Sequence, residues 1–106
     1  PFIPQKDTPS KDFSAGTADF TCYTLSIIRL IHERVLLPAT TALGTISQNG
    51  REKGIKSGAN VVMPNITPLA VRPKYEIYKG KHHTTTPIAE TIQSLAQQLS
   101  AIGYHL

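Results

Sequence analysis

The sequence contains no tryptophan and a single cysteine, Cys22. One cysteine excludes a disulfide framework, and it excludes a cysteine-cluster metal site built from these residues alone. That usage fits a reducing compartment, and a cytoplasmic location is the expectation. Long apolar runs are also missing. None exceeds three residues, as at Val35–Leu37, Val61–Met63 and Leu69–Val71. A membrane-spanning helix needs roughly 20, so no membrane partner is expected. No methionine opens the chain and no basic-then-apolar start follows, so no secretory signal is expected. Charge is sparse, at 17%, with 11 Lys+Arg against 7 Asp+Glu. The cations are scattered, with loose clusters only at Arg51–Lys56 and Arg72–Lys81. A nucleic-acid surface would show a basic stripe with interleaved aromatics, so none is expected; a solvated face or a small-anion site fits better.

What is present points to a folded domain. Apolar residues make up 40% of 106 residues, too apolar for disorder and enough for one domain, residues 1–106. Pro1–Pro4 reads as the tail of a strand, and residues 5–17 as loop. Thr17 or Asp19 caps a helix running to about Glu33, with Phe20, Tyr23, Ile27, Leu30 and Ile31 as its apolar stripe, widened by Leu25 and Ile28. Val35–Leu43 is apolar or small on both faces, the pattern of a buried parallel strand. Thr45–Gly50 reads as a loop and Arg51–Ser57 as a short helix weakened by Gly54. Gly58 suits a left-handed helix end. Asn60–Met63 is a second buried strand, stopped by Pro64. Pro73 limits the segment after Thr67-Pro68 to a short or kinked turn. Thr86-Pro87 starts a last helix with Ile88, Ile92, Leu95, Leu99 and Ile102 at steps of four, three, four and three, ended by Gly103.

This alternation predicts an α/β chain of right-handed βαβ units with parallel strands. A closed (β/α)8 barrel needs about 250 residues. The reading is therefore a partial (β/α)8 barrel, its last three β/α units, completed by a missing N-terminal part or by a second copy pairing at the open strand edges.

Function in such sheets gathers at the carboxyl ends of the strands. There lie Thr40, Thr41, Thr45, Thr67 and the amide of Asn65, with Arg51 and Arg72 nearby, a set of donors suited to a small anion or carboxylate. Strand propensity and helix capping account equally simply for several of these threonines. Tyr75 and Tyr78, three apart, would wall a ligand or pack a turn. His82-His83 reads as solvated loop, since adjacent side chains point apart. His32 and His105 read as surface, and Cys22 as a structural thiol. No Ser/His/Asp set, carboxylate pair or phosphate loop is present.

Several runs are familiar. They are Pro1-Phe2-Ile3-Pro4-Gln5-Lys6-Asp7-Thr8-Pro9, Leu37-Pro38-Ala39-Thr40-Thr41-Ala42-Leu43-Gly44-Thr45, Gly50-Arg51-Glu52 and Gly58-Ala59-Asn60-Val61-Val62-Met63-Pro64-Asn65. Thr84-Thr85-Thr86-Pro87 and Ile102-Gly103 add to them. Together they resemble the C-terminal part of the biotin synthase-like radical S-adenosylmethionine family, in its HydE branch of FeFe-hydrogenase maturation proteins. That part is similar to the biotin and thiamin synthesis associated (BATS) domain. The resemblance implies strands six to eight of the barrel. It implies a full-length parent in which a 4Fe–4S cluster cleaves S-adenosylmethionine to methionine and a 5′-deoxyadenosyl radical. Thr40 and Thr41 would then line an internal anion or substrate site. Met63 would sit near S-adenosylmethionine, and Tyr75, Tyr78 and Arg72 would wall the reacting region. The family's three-cysteine cluster motif is not in these residues, so no cofactor and no catalytic residue is expected in this segment alone. Lys79–Thr84 lacks the cysteines that some members carry for a second cluster. The arginine of biotin synthase is missing from Pro38–Thr41. Two further readings are a stand-alone anion-binding module without catalysis and an assembly domain working through edge pairing.

Overall fold

Thr17 sets where the first helix begins. In a computed structural model describing residues 1–75 and 87–106, its backbone is extended and its hydroxyl accepts from the Phe20 amide at 3.2 Å. Helix α1 then runs Ala18–Ile31. Thr17→Ala removes this cap and is expected to cost about 1 kcal/mol of unfolding free energy. Urea titration followed by circular dichroism checks the value.

The inward face of α1 is the edge of the expected stripe, at Leu25 and Ile28, rather than its centre. Leu25 is its buried residue, while Phe20, Tyr23, Leu30 and Ile31 are each more than 60% exposed. The polar anchors decide the matter. The Ser26 hydroxyl donates to the Ser57 carbonyl at 3.1 Å, and Arg29 Nε donates to the Gly58 carbonyl at 2.8 Å. Those bonds turn Leu25, Ser26 and Arg29 toward the helix that ends near Ser57. The larger apolar stripe is left on the outer side.

The expected strand Val35–Leu43 is cut short. Strand β1 is Pro38–Ala39, and Thr41–Ile46 is helix α2. Thr40 causes the change: its hydroxyl accepts from the Leu43 amide at 3.3 Å, a helix cap where a strand would have continued. Part of the expected Thr45–Gly50 loop is therefore helical. Strand β2 is Val61–Val62, shorter than the expected Asn60–Met63, and pairs parallel to β1 with Pro38 opposite Val61 and Ala39 opposite Val62. Asn60 extends this pairing sideways, its Oδ1 accepting from the Leu37 amide at 2.8 Å while its own amide donates to the Leu37 carbonyl at 2.9 Å. Among the described residues Pro1–Pro4 forms no strand. It closes the first loop instead, the Phe2 carbonyl accepting from the Gly16 amide at 2.9 Å.

Helix α3, Gly50–Lys56, packs on β1, α1 and α2. Its glycines permit the approach. A Cβ on Gly54 would lie 2.9 Å from Leu43 Cδ2, and one on Gly50 would strike the Leu43 carbonyl oxygen. What reads in the sequence as a weakness of this helix is the condition of its packing. Beyond α3, Gly58 has φ +107°, the left-handed conformation expected there. The core is Leu25, Leu37, Ala39, Leu43, Ile55 and Ala59.

The described residues fall into two compact units, one of residues 1–63 and one of residues 64–75 and 87–106. In the second, Arg72–Tyr75 is a single 3-10 turn containing Pro73, the short turn expected from that proline. Helix α4, Ile88–Ala101, buries Leu95 and Leu99 and leaves Ile88 and Ile92 part exposed. Its end is closed by Gly103 at φ +84°, after which the Tyr104 amide donates back to Leu99 at 2.9 Å. Pro87 holds the cap position of α4; Thr86, expected to cap it, lies outside the described residues, as do His82 and His83.

Candidate functional site

Two short parallel strands joined through α2 and α3 place the end of β1 beside a helix start. Of the threonines expected to converge here, Thr40 spends its hydroxyl on the α2 cap. Thr45 donates its hydroxyl to the Thr41 carbonyl at 3.1 Å, inside the same helix. Both are half-buried and serve local structure. Thr41 differs: it is half-buried at the first position of α2, and its hydroxyl makes no hydrogen bond to a described residue. Arg51 joins it from α3. The stem of Arg51 runs across Gly44, with Cγ 3.4 Å and Nε 3.5 Å from where a Gly44 Cβ would stand. Gly44 lies one helical turn after Thr41, on the same face. Arg51 forms no ion pair among the described residues and is half-buried. A hydroxyl and a guanidinium on one small surface can bind an anion through charge-assisted hydrogen bonds.

The other expected residues sit differently. Met63 directly follows β2 and is 45% exposed. Asn65, Thr67 and Arg72 belong to the second unit. The Asn65 Oδ1 accepts from the Thr67 amide at 3.1 Å, so the Thr67 backbone rather than its hydroxyl shapes this turn. Arg72 is 3% exposed, and its Nε donates to the Thr67 carbonyl at 3.1 Å. Tyr75 ends the 3-10 turn, and Tyr78 lies outside the described residues. Cys22 is half-buried within α1.

One structural residue escaped the sequence reading. Arg29 looked like a helix-end charge, yet it donates to the Gly58, His32 and Glu33 carbonyls at 2.8, 3.2 and 2.6 Å. The only hint in the sequence is Gly58. A left-handed residue beside a helix turns its carbonyl outward, and that carbonyl needs a donor. Among the described residues, no three His, Cys, Asp or Glu side chains stand close enough to hold a metal ion, and no helix is long and apolar enough to cross a membrane.

These features define an α/β segment with a parallel strand pair and polar groups at the strand's carboxyl end. No family model matches the chain. It is similar to the FeFe hydrogenase maturase subunit HydE of Thermotoga maritima, with 43% identity over 81 residues, 76% of this chain. The matched stretch spans 23% of the length of that relative.

Proposed function

We propose that this chain is the closing section of a radical S-adenosylmethionine maturase of the HydE kind, and that its strand ends form one wall of the reaction chamber. The observation that carries this reading is the 43% identity to a hydrogenase maturase subunit, sustained over 81 residues. The parallel pairing of β1 with β2 supports a barrel segment similar to the BATS domain, since parallel strands require the crossover connections from which such barrels are built. The exposed stripe Phe20, Tyr23, Leu30 and Ile31 supports it too. A helix apolar on two sides is sandwiched in its complete protein. The missing N-terminal barrel part supplies the second layer, and a second copy is the other possible cover.

The residues present do not fit a 4Fe–4S cluster, because the chain has one cysteine and the cluster is held by several thiolates. Such a cluster would be held by the rest of the parent and would there supply the electron for S-adenosylmethionine cleavage. The part played by this chain is binding. Thr41 donates a hydroxyl hydrogen bond and Arg51 a positive charge to a carboxylate or small anion at the mouth of β1. Met63 presents an apolar contact one strand over.

The test uses the intact protein, purified without oxygen, reconstituted with iron and sulfide, and given a one-electron reductant. Methionine and 5′-deoxyadenosine are expected in equal amounts, and their absence from a protein with a full cluster overturns the reading. Arg51→Met is expected to raise the concentration of substrate or anion needed for half-maximal turnover about tenfold, the loss of one charge-assisted hydrogen bond. An unchanged value removes Arg51 from the site. The stand-alone anion module differs in its outcome: it predicts that this chain by itself binds sulfate or a small carboxylate by calorimetry, whatever the intact protein does with S-adenosylmethionine.

A further inference from the structure

Asn49-Gly50 is the only Asn-Gly step in the sequence, and it lies where α3 begins. Asparagine followed by glycine is prone to self-modification, because no side chain shields the glycine amide nitrogen. That nitrogen can attack the side-chain amide carbon and close a five-membered imide. Asn49 offers its half of the reaction freely. It is exposed at the cap position of α3, and its side chain makes no cap hydrogen bond. An asparagine at that position ordinarily binds one of the first helix amides.

The other half is held back. The peptide unit joining Asn49 to Gly50 is pinned at both ends. Its carbonyl accepts from the Lys53 amide at 2.9 Å, and its N–H donates to the Ser47 carbonyl at 3.0 Å. Gly50 is buried, and the side where a Cβ would stand is filled by the Leu43 carbonyl. Asn49 has ψ 28°. That value sets the Gly50 nitrogen nearly opposite the Asn49 Cβ, whereas ring closure needs the two on the same side. Turning the peptide unit to that position breaks both hydrogen bonds and lifts Gly50 off α2.

We infer that Asn49 is a latent deamidation site whose reaction is gated by the docking of α3 on α2. When α3 opens, hydroxide takes the Gly50 amide proton and the nitrogen bonds to Asn49 Cγ. The Cγ–Nδ2 bond then breaks with release of ammonia. Water opens the imide at either carbonyl and leaves aspartate or isoaspartate, with nothing oxidised or reduced. Isoaspartate adds one carbon to the backbone before Gly50, at a contact with no room for a methyl group. Chains that take this branch therefore do not redock α3.

The intact protein, held at mildly alkaline pH, tests this beside a synthetic peptide of residues 45–53. Acidic digestion and mass spectrometry follow conversion of Asn49. The native site is expected to react at least about tenfold more slowly than the peptide, because only the opened fraction reacts. Ile55 of α3 is 5% exposed, and Ile55→Val is expected to speed the native reaction about fivefold. Should that variant fail to fold, urea below the unfolding transition is expected to raise the parent rate relative to the peptide in the same way. Native and peptide rates within about twofold overturn the proposal. An inert peptide overturns it too, as does a native rate unmoved by Ile55→Val or by urea. In the isoaspartate fraction the Lys53 amide is expected to exchange hydrogen about tenfold faster, and unchanged protection overturns the failure to redock.

Discussion

Leu43→Ala is expected to lower the unfolding free energy of this chain by about 3 to 5 kcal/mol, the upper part of the range for buried leucines. Among the described residues, Leu43 is the one large side chain with no exposed surface. It sits in α2 but is held by its neighbours. Its Cδ2 lies over Gly54 of α3, and its backbone carbonyl lies against Gly50. Ala39 of β1 reaches the same Gly54 position at 3.3 Å. Truncation therefore opens a void where α2, α3 and β1 meet, and rigid backbone on two sides prevents collapse. A small domain has only about 5 to 15 kcal/mol to lose, so much of the variant would be unfolded at room temperature. Urea unfolding measures the shift, with Leu30→Ala as the control. Leu30 is 81% exposed, and its loss is expected to move stability by no more than about 0.5 kcal/mol. Equal effects from the two leucines would show that Leu43 is not the centre of this core.

Gly50→Ala is expected to be nearly as damaging, about 3 kcal/mol, although it adds only one methyl group. The added Cβ would overlap the Leu43 carbonyl oxygen. A side chain could swing aside; a carbonyl held in α2 cannot move without shifting the helix. The comparison is Gly103→Ala. Gly103 has φ +84° but no atom within 4 Å of its would-be Cβ, so its cost is the left-handed backbone alone, about 1 kcal/mol. Thermal melts of the two variants separate steric from conformational cost. If Gly50→Ala melts no lower than Gly103→Ala, α2 and α3 do not approach as closely as described.

Two of the corrections to the sequence reading have a common cause. Phe20, Tyr23, Ile27, Leu30 and Ile31 form the better apolar stripe of α1 by spacing, and spacing is all a linear sequence displays. Which of two apolar faces turns inward was settled by Ser26 and Arg29 bonding to Ser57 and Gly58, about thirty residues away. In the same way, Val35–Leu43 has strand composition throughout, but the competition at Thr40 between continuing a ladder and capping a helix depends on whether a partner strand is there to pair. Beyond Ala39 the cap wins. At the site, residue types were legible and their duties were not. Thr40 and Thr45 serve the helix, Thr41 and Arg51 are half-buried without such a duty among the described residues, and Arg72 is buried.

By itself the sequence determined the elements with strong local signals: a helix start at Thr17 or Asp19, the turn at Pro73, the left-handed Gly58, and the last helix with its end at Gly103. Each of these rests on chemistry within a few residues of the chain. Only the tertiary structure decided which face of α1 is buried, where β1 stops, and which polar side chains are left over for chemistry. Those outcomes depend on hydrogen bonds and close contacts between residues distant in the chain, whose energies no local pattern contains.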